Sequence, residues 1–262
     1  MSIRCQNIHY GYQDNDILSD ISLAFNPGEF TIIIGPNGCG KTTLLKLLGG
    51  VLPPRRGDIF FKDQPMSKVS AKEMSQSRSV LPQSTQLTFP YTAMEVVLMG
   101  RTPHVQWLET DQDFEIAEKA MVLSEVLEFK ERLYPTLSGG EQQRINFSRA
   151  LAQIWSVQDT KRDRFLFLDE PTSSLDPSHQ EKILDVAREW TQKGVGVIAV
   201  LHDMNLAAHY ASRLVVLHQK KVYADGPVEQ VLTQRMMQEV FKVKTEIISH
   251  PQTKRPLVIR SA

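Results

Sequence analysis

The chain is poor in cysteine, carries no net charge and contains no long apolar run. Its two cysteines in 262 residues, Cys5 and Cys39, are too few for a disulfide framework, so a reduced, cytosolic setting is expected. Thirty basic residues balance thirty acidic ones. The basic excess of a dedicated nucleic-acid binder is missing, and no nucleic acid is expected as a partner. No uninterrupted apolar stretch approaches the ~18 residues needed to span a bilayer. The first residues, Met1-Ser2-Ile3-Arg4-Cys5, lack the apolar core of a signal peptide. A soluble chain is expected, one that can still sit on a membrane protein. There is no internal repeat and no low-complexity stretch.

What is present centres on Gly35-Pro36-Asn37-Gly38-Cys39-Gly40-Lys41-Thr42, a G-x-x-x-x-G-K-[ST] pattern. Before it, Phe30-Thr31-Ile32-Ile33-Ile34 reads as a buried strand; after it, Leu44, Leu45, Leu47 and Leu48 ride on a helix that stops at Gly49-Gly50. Strand, glycine loop and helix together form a phosphate cradle, with backbone N–H groups and the helix N-terminus facing an anion. Lys41 reaches the β- and γ-phosphates and the Thr42 hydroxyl ligates Mg²⁺, with Thr43 beside it in the same turn. A nucleoside triphosphate is the expected ligand.

Along the chain, strands are expected at Ile3–Tyr10, Ile17–Phe25, Asp58–Phe61 and Ser79–Gln83, and a short helix within 66–78. Residues 84–148 turn helical, with Ile116, Ala120, Leu123 and Leu127 spaced to share one helix face. A further helix is expected from Glu141 to about Ala152, then a long polar connection at 153–164. Strands at 164–170, 195–201 and 213–218 alternate with helices at 178–193 and 205–212. The tail, 228–262, reads as one short helix and a final strand pair. Strands alternating with helices indicate an α/β fold with a mostly parallel sheet covered on both faces.

Four side chains end strands at the edge where the cradle lies. Asp169 can hold Mg²⁺, directly or through its waters, and Glu170 can polarise an attacking water as general base. Gln83 can touch the Mg²⁺ or that water. His202 can donate to the γ-phosphate and hold Glu170 in position. Ser138-Gly139-Gly140-Glu141 is a second glycine turn at a helix start, able to bind an anion. A plain N-cap would account for Ser138 but not for the glycines. Two cradles per chain suggest two half-sites per nucleotide, joined across a head-to-tail homodimer.

In this order the motifs resemble those of the ABC-type ATPases: the Walker A loop (35–42), the glutamine loop (Gln83), LSGGE (137–141), Walker B (165–170), the Ser174-Leu175-Asp176 loop and the His202 switch. The resemblance covers the whole chain and implies one nucleotide-binding domain over 1–262. It implies a P-loop (RecA-like) core with an N-terminal antiparallel β subdomain, a helical subdomain at about 84–150 and a C-terminal tail at about 228–262. It further implies ATP with Mg²⁺ as cofactors, sandwiched between Walker A of one subunit and LSGGE of the other. Tyr12 matches the aromatic that stacks on adenine, with Tyr10 as the second candidate. Cys39 stands where the family more often has Ser or Ala, and a thiol reagent blocked by bound ATP is expected to inactivate the protein.

The segment Gly100-Arg101-Thr102-Pro103-His104 is similar to that of importers for iron-siderophore, cobalamin and haem, and Leu201-to-Ala208 and Ser178-His179-Gln180 look like the haemin branch. This implies two copies of a polytopic membrane permease as partners and, indirectly, a periplasmic substrate-binding protein. It also implies a peripheral place on the cytoplasmic side of the inner membrane. A ferric-siderophore or cobalamin importer, or a soluble ABC ATPase in cofactor assembly, are the alternatives. His104, His179 and His209 are expected to be surface or packing residues rather than haem ligands.

Overall fold

The computed structural model describes residues 2–13, 15–85, 87, 89–155 and 163–260, the side chains of Tyr12 and Arg260 excepted. Most of the polar connection expected at 153–164 lies outside these residues.

Among them, β1 (Ile3–Tyr12), β2 (Asn15–Phe25), β4 (Arg56–Phe61) and β5 (Gln64–Pro65) form an antiparallel sheet in the order β2-β1-β4-β5. A second sheet runs β10-β9-β3-β8-β7-β6, built from β3 (Phe30–Ile34), β6 (Arg78–Leu81), β7 (Arg164–Asp169), β8 (Val195–Val200), β9 (Arg213–His218) and β10 (Lys221–Pro227). Its pairings are parallel except for β10 on β9.

Period-two alternation in these apolar strands feeds two cores at once. Ile32, Leu166, Leu168, Val197 and Leu214 face one core, while Ile33, Phe165, Phe167, Ile198 and Val215 face the other. The second core is closed by α1 (Lys41–Leu48) and the antiparallel sheet. The first is covered by α3 (Ala93–Leu98), α4 (Asp111–Leu123), α5 (Gly139–Ile154), α6 (Pro177–Gln192) and α7 (Met204–Tyr210). Burial on both faces is why the strands read as unbroken hydrophobic runs. Helices α3, α4 and α5 pack on one another as a helical unit. The chain ends with α8 (Val228–Val231), α9 (Gln234–Phe241) and a hairpin of β11 (Thr245–Ser249) and β12 (Pro256–Arg260).

Several expectations need correction. The short helix expected within 66–78 is α2 (Ala71–Ser77), and it starts only there because Val69 is extended and the Ser70 side chain caps it at Glu73 N–H; a 3₁₀ turn at Met66–Lys68 precedes it. Leu123 and Leu127 are only half-buried, since α4 ends at Leu123 and Glu125 adopts a positive φ of 54°. The strand expected to reach Gln83 stops at Leu81. Helix α5 starts at Gly139, two residues early, and the tail carries two helices because Thr233 caps a new one.

Candidate active site

Three parallel strands bring the chemistry to one edge. Beyond β3 the chain enters the glycine loop, and Gly40, with φ 102°, turns it into α1. That φ strains any side chain, and a Cβ there would also crowd Leu18 Cδ2 at 2.7 Å and Ile17 O at 3.2 Å, so the turn calls for glycine. Lys41 is buried, and its Nζ donates to the carbonyls of Gly35 (2.9 Å) and Pro36 (3.0 Å). The ammonium is thus held inside the loop at its mouth.

Beneath the loop, Thr42 Oγ1 donates to Asp169 Oδ1 at 2.9 Å. Asp169 is 1% exposed. Burial raises its pKa; the Thr42 hydrogen bond opposes that rise and the adjacent Glu170 charge adds to it. Two hard oxygens at the carboxyl edge of the sheet suit a small divalent cation.

Glu170 follows β7 with φ 51°, a left-handed conformation that costs a non-glycine residue about 1 kcal/mol. Its N–H donates to Val200 O at 3.2 Å. The turn presents its carboxylate to two donors: Gln83 Nε2 to Oε2 at 2.8 Å and His202 Nε2 to Oε1 at 2.6 Å. Each oxygen keeps a lone pair for a third partner.

These groups line one open cavity of about 590 Å³, which takes in Asn37, Gly38, Lys41 and Thr42 on one side and Gln83, Glu170 and His202 on the other. Gly40 and Thr43 line it as well. Gly35 and Pro36 instead face an adjoining cavity towards the C-terminal segment. Ile17 also lines this cavity, and an isoleucine in a strand carried no signal of that role. The contact from Gln83 to Glu170 was not expected either.

Cys39 corrects the expectation placed on it. It is 9% exposed, does not line the cavity, and its Sγ lies close to Gly35. Burial raises its pKa, with Lys41 opposing the rise. That disfavours the thiolate a reagent needs. Tyr10 belongs to the core below the antiparallel sheet, while the Tyr12 side chain lies outside the described residues.

Ser138, Gly139, Gly140 and Glu141 do not line this cavity. They open α5, where Ser138 and Glu141 form a reciprocal capping box, with Ser138 N–H donating to Glu141 Oε2 at 2.7 Å. A Cβ at Gly140 would lie 3.1 Å from Ser174 O, whereas one at Gly139 would meet nothing within 4 Å. The histidines doubted as haem ligands have local roles: His104 bonds Gln153 O, His179 bonds Asp176, and His209 packs edge-on to Tyr210.

Known proteins resemble this chain in sequence and in fold. Residues 18–173 match the family described as ABC transporter. The hemin import ATP-binding protein HmuV of Gloeobacter violaceus is 45% identical, over 93% of this chain and 88% of its own. The protein of the same name from Hahella chejuensis is 42% identical over 94% of each chain. Among solved structures, an inward-facing metal-chelate type ABC transporter superposes with a TM-score of 0.81 at 25% identity, covering 100% of this chain and 97% of that one. A dimeric bacterial ABC transporter cassette gives 0.75 at 25% identity, over 86% and 98%. The match at 18–173 spans more than half of the chain and takes in the glycine loop, Gln83 and Glu170 that line the cavity: the chain belongs to the ABC transporter family.

Proposed function

We infer that the chain is the ATPase subunit of a bacterial importer that carries haem across the inner membrane. It lies on the cytoplasmic side against two copies of a polytopic permease, to which a periplasmic binding protein delivers cargo. The whole of 1–262 acts as one nucleotide-binding domain, with its helical subdomain at about 84–150.

The observation that carries the ATPase reading is Glu170, clasped by Gln83 and His202 at the mouth of a cavity walled by the glycine loop. In that cavity Lys41 turns from the loop carbonyls to the β- and γ-phosphates of ATP, and the loop N–H groups receive the remaining charge. Thr42 and Asp169 would hold Mg²⁺, with the Gln83 carbonyl in reach; when bound, the ion neutralises charge on the phosphate oxygens. Glu170 takes a proton from the water that attacks the γ-phosphate, and His202 and Gln83 fix the carboxylate for that transfer. Tyr12 is the adenine-stacking ring of this reading.

Hydrolysis on this reading needs a second copy. Among the described residues nothing requires glycine at 139, and on this reading its smallness serves a surface approached from outside. Ser138, Gly139, Gly140 and Glu141 of one subunit close on the triphosphate held by Walker A of the other. Loss of the γ-phosphate removes the bridge and lets the pair reopen, moving the permease with it.

Haem as cargo rests on the relatives named for hemin import at 42–45% identity over nearly the full length. The test is ATP turnover in vesicles holding the subunit with its own permease and binding protein. Haem should stimulate turnover; stimulation by cobalamin or a ferric siderophore but not by haem would overturn the assignment.

A further inference from the structure

The segment Gly100–His104 marks relatives by resemblance, yet the site described above gives it no task. Its side chains converge on the far end of α5. Arg101 Nη1 donates to Ala152 O (2.7 Å) and Trp155 O (3.1 Å), and His104 Nε2 donates to Gln153 O (2.7 Å). Arg164 Nη1 completes the set on Ile154 O at 2.9 Å. Three basic side chains thus converge on the last carbonyls of α5, where Ala152 O also accepts the Trp155 N–H at 3.4 Å.

The clamp is tied outwards in two directions. Arg101 Nε donates to Asp113 Oδ1 at 2.9 Å, both side chains nearly buried, and Asp113 Oδ2 caps α4 through Thr110. Gln153 joins the strand that leads to Gln83: its Nε2 donates to Ser75 O and Arg78 O, and Ser79 Oγ donates to its Oε1 at 3.0 Å. A Cβ at Gly100 would lie 2.3 Å from Arg149 O, so segment and helix are in backbone contact. The other end of α5, about 24 Å away at 1.5 Å per residue, is Ser138–Glu141.

We propose that Arg101, locked to Asp113, is a positioning residue for ATP hydrolysis: it fixes the C-terminal end of α5 and so aims Ser138–Glu141 at the triphosphate of a second copy. This rests on the paired-subunit reading above. A rigid helix held at one end by the segment that follows Gln83 passes a tilt of that segment to its other end. Arg101 is buried and does not line the cavity proposed to hold ATP.

The experiment uses the full chain with Arg101→Lys, which keeps the charge but cannot serve Asp113 and two carbonyls together, and with Asp113→Asn, which keeps the shape should the first variant not fold. Melting temperature and the number of fluorescent ATP analogues bound per chain are measured first. The expected result is unchanged analogue binding, KM for ATP within about twofold, and kcat per bound nucleotide down about tenfold. In a Glu170→Gln background, the ATP-dependent dimer fraction should fall as well. Parental kcat and dimer fraction in a folded variant would overturn the proposal. So would a loss of kcat matched by an equal loss of bound nucleotide, the mark of a purely structural cap. If Glu170→Gln alone, with Arg101 intact, fails to pair on ATP, the paired-subunit reading fails instead.

Discussion

Gln83 and Glu170 stand two residues beyond Leu81 and one beyond Asp169, at matching positions past neighbouring parallel strands, and a 2.8 Å hydrogen bond joins them. The register that pairs Leu81 with Leu168 carries on to set 83 opposite 170. One end of the segment 84–98 is thereby tied to the carboxylate proposed to activate water. Gln83→Ala should lower kcat about tenfold and leave KM for ATP nearly unchanged, because the base loses an orienting donor and the cradle loses nothing. Steady-state kinetics on the purified subunit check this; a rise in KM at constant kcat would place Gln83 in nucleotide binding instead.

Asp169 ties stability to function. Burial, with Glu170 beside it, raises its pKa against the Thr42 hydrogen bond. A carboxyl raised on folding stabilises the fold below its unfolded pKa, and that contribution is lost as pH rises through the folded value. At neutral pH the ionised group therefore costs the nucleotide-free fold stability. Asp169→Asn should melt higher than the parent at pH 7, with the gap closing as pH falls into the carboxylate range, while hydrolysis drops about 100-fold. A lower melting temperature at pH 7 would contradict this account.

Gly139 separates packing from assembly. With no atom of the described residues within 4 Å of a Cβ there, Gly139→Ala should not harm the fold and should favour α5 by roughly 0.5 kcal/mol. The added methyl would crowd a triphosphate arriving from a second copy, so turnover should fall at least about tenfold with ATP binding intact. Melting, nucleotide binding and turnover on one preparation decide it.

Both thiols are hidden. Cys5 is pushed up to about 11, chiefly by burial, and burial raises Cys39 as well. N-ethylmaleimide should label both slowly at pH 7 and faster as pH rises, as read by intact mass. Cys39→Ser should keep kcat within about twofold, since the thiol does not line the cavity.

The sheet and the cradle were legible because both faces of the parallel strands are buried, which leaves unbroken apolar runs such as Phe165–Leu168 ending in chemistry. Strand ends told where Asp169, Glu170 and His202 emerge. What stayed hidden depends on contacts across the chain. The left-handed turn at Glu170, the burial of Cys39 against Gly35 and the tie from Gln83 to Glu170 leave no local trace. The cap at Thr233, which splits the single helix expected in the tail, is a local signal that the apolar pattern outweighed. For Ser138 the N-cap reading holds, since the hydroxyl caps Glu141 N–H, while the anion site belongs to the paired-subunit reading proposed above.

The most direct test of the account is single-turnover hydrolysis of ATP by Glu170→Gln at saturating protein. The account predicts unchanged affinity for ATP and a hydrolysis rate lower by about 10³-fold, because the amide cannot take the proton that Gln83 and His202 hold the carboxylate to receive. A rate within about tenfold of the parent would contradict it.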